Sequence, residues 1–265
     1  MDDTETKAAP VRKMPPEVRN ITNADVWQSV SKGWADLKNA SVFSLFFGLF
    51  YAAAGWALLY MFFNFEISIY AYPVTMGFPL IAPFIAAGLY EISRRLELGN
   101  ELEWAGIFGS VRNAGGKDLS WMAVLTTFSY ILWVDIAAAI YVGFFGLRSM
   151  DVWQLSELIF TTPKGLIFFV AGNLAGLILG AIMFSLTAVS FPLLFDRDVD
   201  FVTAMITSVK AVTSNKGPMI LWACIIVALM AISIVTAFTA LIVVLPLLGH
   251  ATWHLYRSVV VPIKE

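Results

Sequence analysis

The chain has little charge and almost no cysteine. Asp, Glu, Lys and Arg together make up 14% of its 265 residues, two residues are histidine, and one, Cys224, is cysteine. Soluble domains carry about 25% charged residues, so a surface that faces water all round is excluded. A single cysteine excludes an internal disulfide and a thiolate metal cluster. The sequence also lacks a phosphate-binding glycine loop, a nucleophile elbow, paired catalytic carboxylates and a nucleic-acid motif. Neither an enzyme nor a nucleic-acid partner is therefore expected. The net charge of -2 says little as a total; its distribution says more.

What the chain has is apolar surface, 59% of residues, gathered into long runs. About 20 apolar residues at 1.5 Å each cross the roughly 30 Å of bilayer hydrocarbon. Such runs cover 41–63, 67–90, 119–145, 164–190, 218–236 and 239–259. They predict an all-α polytopic bundle of about six transmembrane helices, with a tight turn near 236–239 separating the last two. Residues 1–24 are polar, with Pro10, Pro15 and Pro16 among mixed charges, and read as a disordered tail before one membrane domain over 25–262. That polar lead is too long for a secretory signal, so the first run is expected to be retained.

Six spans put both termini on one side, and the basic residues test this independently. Fifteen of the 17 Lys and Arg fall in the tail and the segment before the first span, the second-to-third and fourth-to-fifth connections and the C-terminus, leaving Arg148 and Lys164 opposite. Both termini are expected in the cytoplasm.

Short amphipathic segments precede the spans. Trp104, Ile107, Phe108 and Val111 take one helix face, and Val202, Met205, Ile206 and Val209 repeat the spacing 98 residues later. Val30, Gly33, Trp34 and Leu37 repeat it more weakly, and Lys38, Arg112 and Lys210 follow the three faces. Starts are expected at Thr22 with Asp25, at Asn100 with Glu103, and at Asp198 or Asp200. A basic-rimmed amphipathic helix beside a span lies in the interface, with Trp34, Trp104, Phe108, Met205 and Ile206 against lipid. The expected architecture is three units, about 25–95, 100–195 and 198–260, each one interfacial helix plus two spans. Residues 147–160 are expected to rest on the outer surface.

Four polar or small-residue features stand out within the spans. His250 and His254 share a helix face, and Glu91, ahead of Arg94 and Arg95, is a conceivable third ligand for a metal. Interfacial hydrogen bonding beside Trp253 and Tyr256 is the plainer reading. Asp135 lies inside the third span, where a carboxylate costs at least about 2.5–3.5 kcal/mol. Depth counting places Asn173 at a similar level, about 14–15 Å from the outer end, so the two are expected to pair, or Asp135 to bind a proton or cation. Gly172, Gly176 and Gly180 form a doubled Gly-xxx-Gly stripe for close helix packing. Pro73, Pro79, Pro83 and Pro246 predict kinks in the second and sixth spans.

The run Pro-Leu-Leu-Gly-His-Ala-Thr-Trp-His-Leu-Tyr-Arg over 246–257, together with 79–95, resembles a domain-of-unknown-function family of bacterial integral membrane proteins. The resemblance extends over about 25–260 and implies the bacterial inner membrane. Some members carry a cytochrome c oxidase subunit I-like label. An oxidase catalytic subunit requires six histidines, and this chain has two. On one helix face they cannot clamp a haem from both sides, so no cofactor is expected, and a haem would need a ligand from elsewhere.

The leading expectation is an inner-membrane scaffold or accessory protein that binds other membrane proteins, respiratory ones by the family label, with a homo-oligomer open. The alternative is a small-solute or ion transporter using Asp135 and the kinked spans. A haem- or metal-binding redox protein comes third.

Overall fold

The computed structural model describes residues 16–64, 71–114, 117–148, 150 and 152–262. These form eleven helices: α1 (Asn23–Asn39), α2 (Ser41–Asn64), α3 (Ala71–Leu98), α4 (Trp104–Ala114), α5 (Lys117–Phe145), α6 (Val152–Thr161), α7 (Pro163–Thr187), α8 (Ser190–Asp196), α9 (Phe201–Ser214), α10 (Lys216–Val235) and α11 (Leu241–Val259). Among the described residues there is no strand, only one isolated bridge between Val18 and Val260. The expected tail of 1–24 is described only from residue 16 onward. Residues 1–15 lie outside the described part, but the Arg19 amide donates to the Val259 carbonyl at 2.9 Å and the Val261 amide to Glu17 at 3.0 Å. Asn215 accepts the Ile21 amide at 2.8 Å, so the segment before α1 is anchored.

Among the described residues, four helices are long and apolar enough to cross a membrane: Ser41–Tyr60, Asp118–Phe145, Pro163–Asp196 and Lys216–Val235. Six were expected. The sixth expected span forms α11, but His250, His254 and Arg257 make its second half polar. The second forms α3, whose last turns carry Glu91, Arg94, Arg95 and Glu97, and residues 65–70 before it lie outside the described part.

Local signals place several boundaries. Thr22 caps α1 in a reciprocal box with Asp25. The Thr22 backbone amide and hydroxyl both donate to that carboxylate at 2.7 Å, holding Asp25 below the usual carboxylate range. Asp200 caps α9 and is lowered likewise, by Thr203. Asn100 does not start α4. The Ile107 amide bonds to the Glu103 carbonyl at 3.0 Å, so that helix begins three residues later than the box spacing predicts. The turn before α11 falls where expected, with Ala237 and Phe238 at φ of 49° and 64°. Such left-handed backbone costs energy in residues other than glycine. The turn is tied to α2, where Trp56 Nε1 donates to the Ala237 carbonyl at 3.0 Å and Gly55 leaves room for the Phe238 ring.

α11 is the packing centre, against α1, α2 and α3. Glycines make the approach possible. A Cβ on Gly33 would lie 2.6 Å from the Ala251 backbone nitrogen, and one on Gly48 would strike the Ile242 carbonyl. Trp222, Trp253, Tyr256, Leu193 and Met219 fill the core beside it. The α5–α7 hairpin is the opposite case: no residue in the most apolar stretch of α7 is buried, and few are in α5.

The three amphipathic helices differ from one another. α9 buries its small residues Ala204, Thr207, Ser208 and Ala211 and turns Val202 and Ile206 outward. α1 splits the expected face, burying Gly33 and Leu37 while Trp34 stays exposed. α4 buries Ile107 and leaves Trp104 and Phe108 half exposed, beside Phe46 of α2. Met205 is partly buried against the core. α6, within the segment expected on the outer surface, leaves Trp153 and Phe160 bare.

Candidate functional site

A neutral imidazole has one donor and one acceptor, so a buried histidine needs two partners. His250 is fully buried in α11 and has both. Its Nε2 shares a 2.8 Å hydrogen bond with the Ser44 hydroxyl of α2, and its Nδ1 a 2.8 Å bond with Ser93 of α3. A hydroxyl can donate or accept, so either tautomer is satisfied. One turn on, His254 Nε2 lies 2.7 Å from Asp36 of α1. Two histidines on one face of α11 therefore hold three other helices.

Glu91 does not join them. Its carboxylate accepts Arg94 Nε and Arg95 Nε, both at 2.7 Å, and the Ser110 hydroxyl of α4 at 2.9 Å. The expected ligand set of His250, His254 and Glu91 is thus not assembled: each side chain is turned to a different partner. Among the described residues no three His, Cys, Asp or Glu side chains gather as a metal site.

Charge pairs continue toward the end of the bundle where residues 16–22 meet 259–262. Glu97 accepts Trp253 Nε1 at 3.2 Å and Arg257 at 3.0 Å, and Asp196 accepts the Tyr256 hydroxyl at 2.5 Å. Arg197 donates to the Val261 carbonyl at 2.6 Å. A polar cavity of about 470 Å³ opens beside them, lined by Arg19, Asp25, Lys32, Glu97, His254 and Arg257. With both signs of charge on its wall, it is suited to water or a zwitterionic group rather than to a bare ion.

Asp135 and Asn173 do not pair. Asn173 donates to the Phe169 carbonyl of its own helix at 2.8 Å, and both residues are exposed. Trp133, Ala137 and Ile140 are the α5 residues lining the cleft against α7. Asp135 is two residues from Trp133, about 200° round the helix, and so points the other way. Depth counting carried no information about face. The cleft itself, about 500 Å³, has Gly172, Asn173 and Gly176 on its α7 wall. Of the glycine stripe only Gly176 touches α5, where a Cβ would lie 3.1 Å from the Trp133 ring; Gly172 and Gly180 face open space.

Ser44, Ser93 and Asp36 were missed as site residues, and a signal for them existed. Two histidines in an apolar helix require buried partners, and these are polar residues within or beside neighbouring apolar runs. What the sequence withheld was which helices meet.

Residues 71–196, from the start of α3 to the end of α8, match the family described as "Predicted integral membrane protein (DUF2189)". The resemblance to a domain-of-unknown-function membrane family is borne out there. The match stops short of 246–257, the run on which that resemblance chiefly leaned. Neither the curated proteins nor the solved structures yield a match.

Proposed function

We propose that the protein is an inner-membrane scaffold or accessory protein whose α5–α7 hairpin docks a helix of another membrane protein. One observation carries this reading: the most apolar stretches of α5 and α7 are almost wholly uncovered by the described residues, and the groove between them has glycine on its wall. In lipid, helix association comes from close van der Waals packing, which small residues permit. Gly172 and Gly180, open on one side, offer that approach. The architecture we propose is three units of one interfacial helix and two spans, with both termini in the cytoplasm of a bacterium. The outward Val202 and Ile206 of α9 and the bare Trp34 support the interfacial part. The respiratory identity of the partners rests on the family label alone.

The transporter reading draws less support, because Asp135 is turned away from the α5–α7 cleft rather than into it. A haem reading draws none from His250, whose ring nitrogens are both hydrogen-bonded.

A photo-crosslinking residue at position 177, on the groove wall, tests the docking in intact membranes. Capture of a discrete membrane protein there, lost in Gly172→Leu, is the expected result. Capture of lipid alone would sink the reading.

A further inference from the structure

α5 carries a second uncovered surface, on the side away from α7. Phe128, Asp135 and Val142 follow one another at intervals of seven, with Val124 and Leu132 beside them, and all five are exposed. Trp121, seven before Phe128, is half exposed and stacks on Phe201 of α9, which closes the stripe at that end. A seven-residue repeat stays on one line of an α-helix to within about 20° per repeat. It is the pattern by which two parallel helices mesh. Among the described residues Asp135, midway along this line and deep in a membrane span, has no hydrogen-bond or ion-pair partner. The same helix's other face is packed, with Leu119, Met122 and Ala123 buried.

We infer that a second copy of this chain covers the stripe, in a parallel α5–α5 contact about a twofold axis along the membrane normal, with the two Asp135 carboxyl groups bonded to each other. The matching of like positions favours a second copy over a foreign helix. Copies insert in the same orientation, so their α5 helices run parallel, and in a parallel heptad seam like positions face like. Asp135 thereby meets a carboxyl at its own depth without a chance match. A protonated carboxyl is both donor and acceptor, so two of them satisfy each other, whereas one facing lipid tails is satisfied by nothing. The neighbouring Ala138 and Ala139 are small and exposed, which lets two backbones come close beside the pair. A lone polar residue in an apolar seam also fixes register, which a purely apolar stripe leaves free to slip. Because the stripe and the α5–α7 groove lie on opposite sides of α5, this contact stands or falls separately from the docking proposed above.

Single cysteines in a Cys224→Ser background test it by oxidative cross-linking in native membranes. Phe128→Cys and Val142→Cys lie on the seam; Val227→Cys on α10, 68% exposed and equally apolar, lies off it. The seam positions are expected to give a product of twice the 29.2 kDa chain that contains this chain alone, and Val227→Cys none. Asp135→Asn, whose amide can also pair with itself, is expected to keep the dimer. Asp135→Leu is expected to raise its dissociation constant about tenfold, ~1.4 kcal/mol. Leucine enters the bilayer at least as well as aspartate, so a lost dimer would not reflect lost insertion. A cross-link as strong from Val227→Cys, a seam product containing a different protein, or an undiminished dimer in Asp135→Leu would each overturn the inference.

Discussion

The helices around α11 and the α5–α7 hairpin are made of similar apolar sequence and solve opposite problems. Around α11, glycines let helix backbones touch, and Ser44, Ser93 and Asp36 complete the histidines. Among the described residues no buried side-chain nitrogen or oxygen lacks a partner. In the hairpin, two glycines face open space, Asn173 bonds its own helix and Asp135 bonds nothing among the described residues. The first region is complete within one chain. The second leaves its needs to be met from outside, by lipid, another copy or another protein. Polar groups therefore act differently in the two: in the first they fix the fold, in the second they define a surface.

The sharpest way to break that contrast is to add bulk to one glycine in each region. Gly48→Leu would drive a side chain into the Ile242 carbonyl, and a backbone cannot move aside as a side chain can. We expect a loss of about 3 kcal/mol or more, read as a large fall in thermal midpoint in detergent or as failure to accumulate. Gly180→Leu, with nothing within 4 Å of its Cβ, should leave that midpoint within a few degrees. Equal losses would mean that the two regions are packed alike.

The next effect concerns polar satisfaction. His250→Leu leaves two buried hydroxyls, those of Ser44 and Ser93, without their shared partner, for an expected loss of about 2 kcal/mol. His250→Gln can restore part of one or both bonds and should recover part of the loss. Asn173→Leu removes only a bond to its own helix, at an exposed position, and should cost under about 0.5 kcal/mol. Chemical or thermal denaturation of the three variants side by side would decide it, and a cost for Asn173→Leu matching that of His250→Leu would break the comparison.

The same contrast explains what was legible in the sequence. Helix positions were, because a span is a one-dimensional property: the expected run 119–145 became α5 over Lys117–Phe145, and the turn near 236–239 fell between α10 and α11. Facing was not. The glycines expected to pack, Gly172 and Gly180, look into open space, while Gly33 and Gly48 pack against α11 with no Gly-xxx-Gly spacing to mark them. Around lipid-facing helices hydrophobicity is nearly the same on every side, so the periodicity that identifies the buried face of a soluble helix is absent. The histidines were legible as a site and not as this one, because Ser44, Ser93 and Asp36 reach them across 157 to 218 residues of chain.

A smaller effect is expected at the start of α1, the helix packed most closely on α11. Thr22→Ala removes one side of the capping box and should cost about 1 kcal/mol. Its pH dependence has a definite sign. The folded Asp25 carboxyl lies below its ordinary value of 3.8 because Thr22 donates to it through backbone and hydroxyl. Its stabilisation is therefore present above that ordinary value and lost as pH falls through the folded value. Solvent screening keeps the contribution small at so exposed a group. In Thr22→Ala the folded value should move back up, so the difference between variant and parent should shrink below about pH 4. A difference that grew on acidification would place the cap's contribution elsewhere.

The smallest change should carry the opposite sign. Glycine within a helix costs about 0.5–1 kcal/mol relative to alanine, because the unfolded backbone has more freedom to lose. That penalty is repaid only where the missing Cβ makes room for something. At Gly172 and Gly180 nothing among the described residues lies in that room, so Gly172→Ala and Gly180→Ala should leave the isolated protein as stable as before or raise its midpoint slightly. If these glycines serve a helix from outside, the same substitutions should weaken cross-linking at position 177 while the midpoint holds or rises. A drop of more than about 1 kcal/mol in the isolated protein would place a packing partner against the stripe within the chain, and the hairpin would then belong with the region around α11.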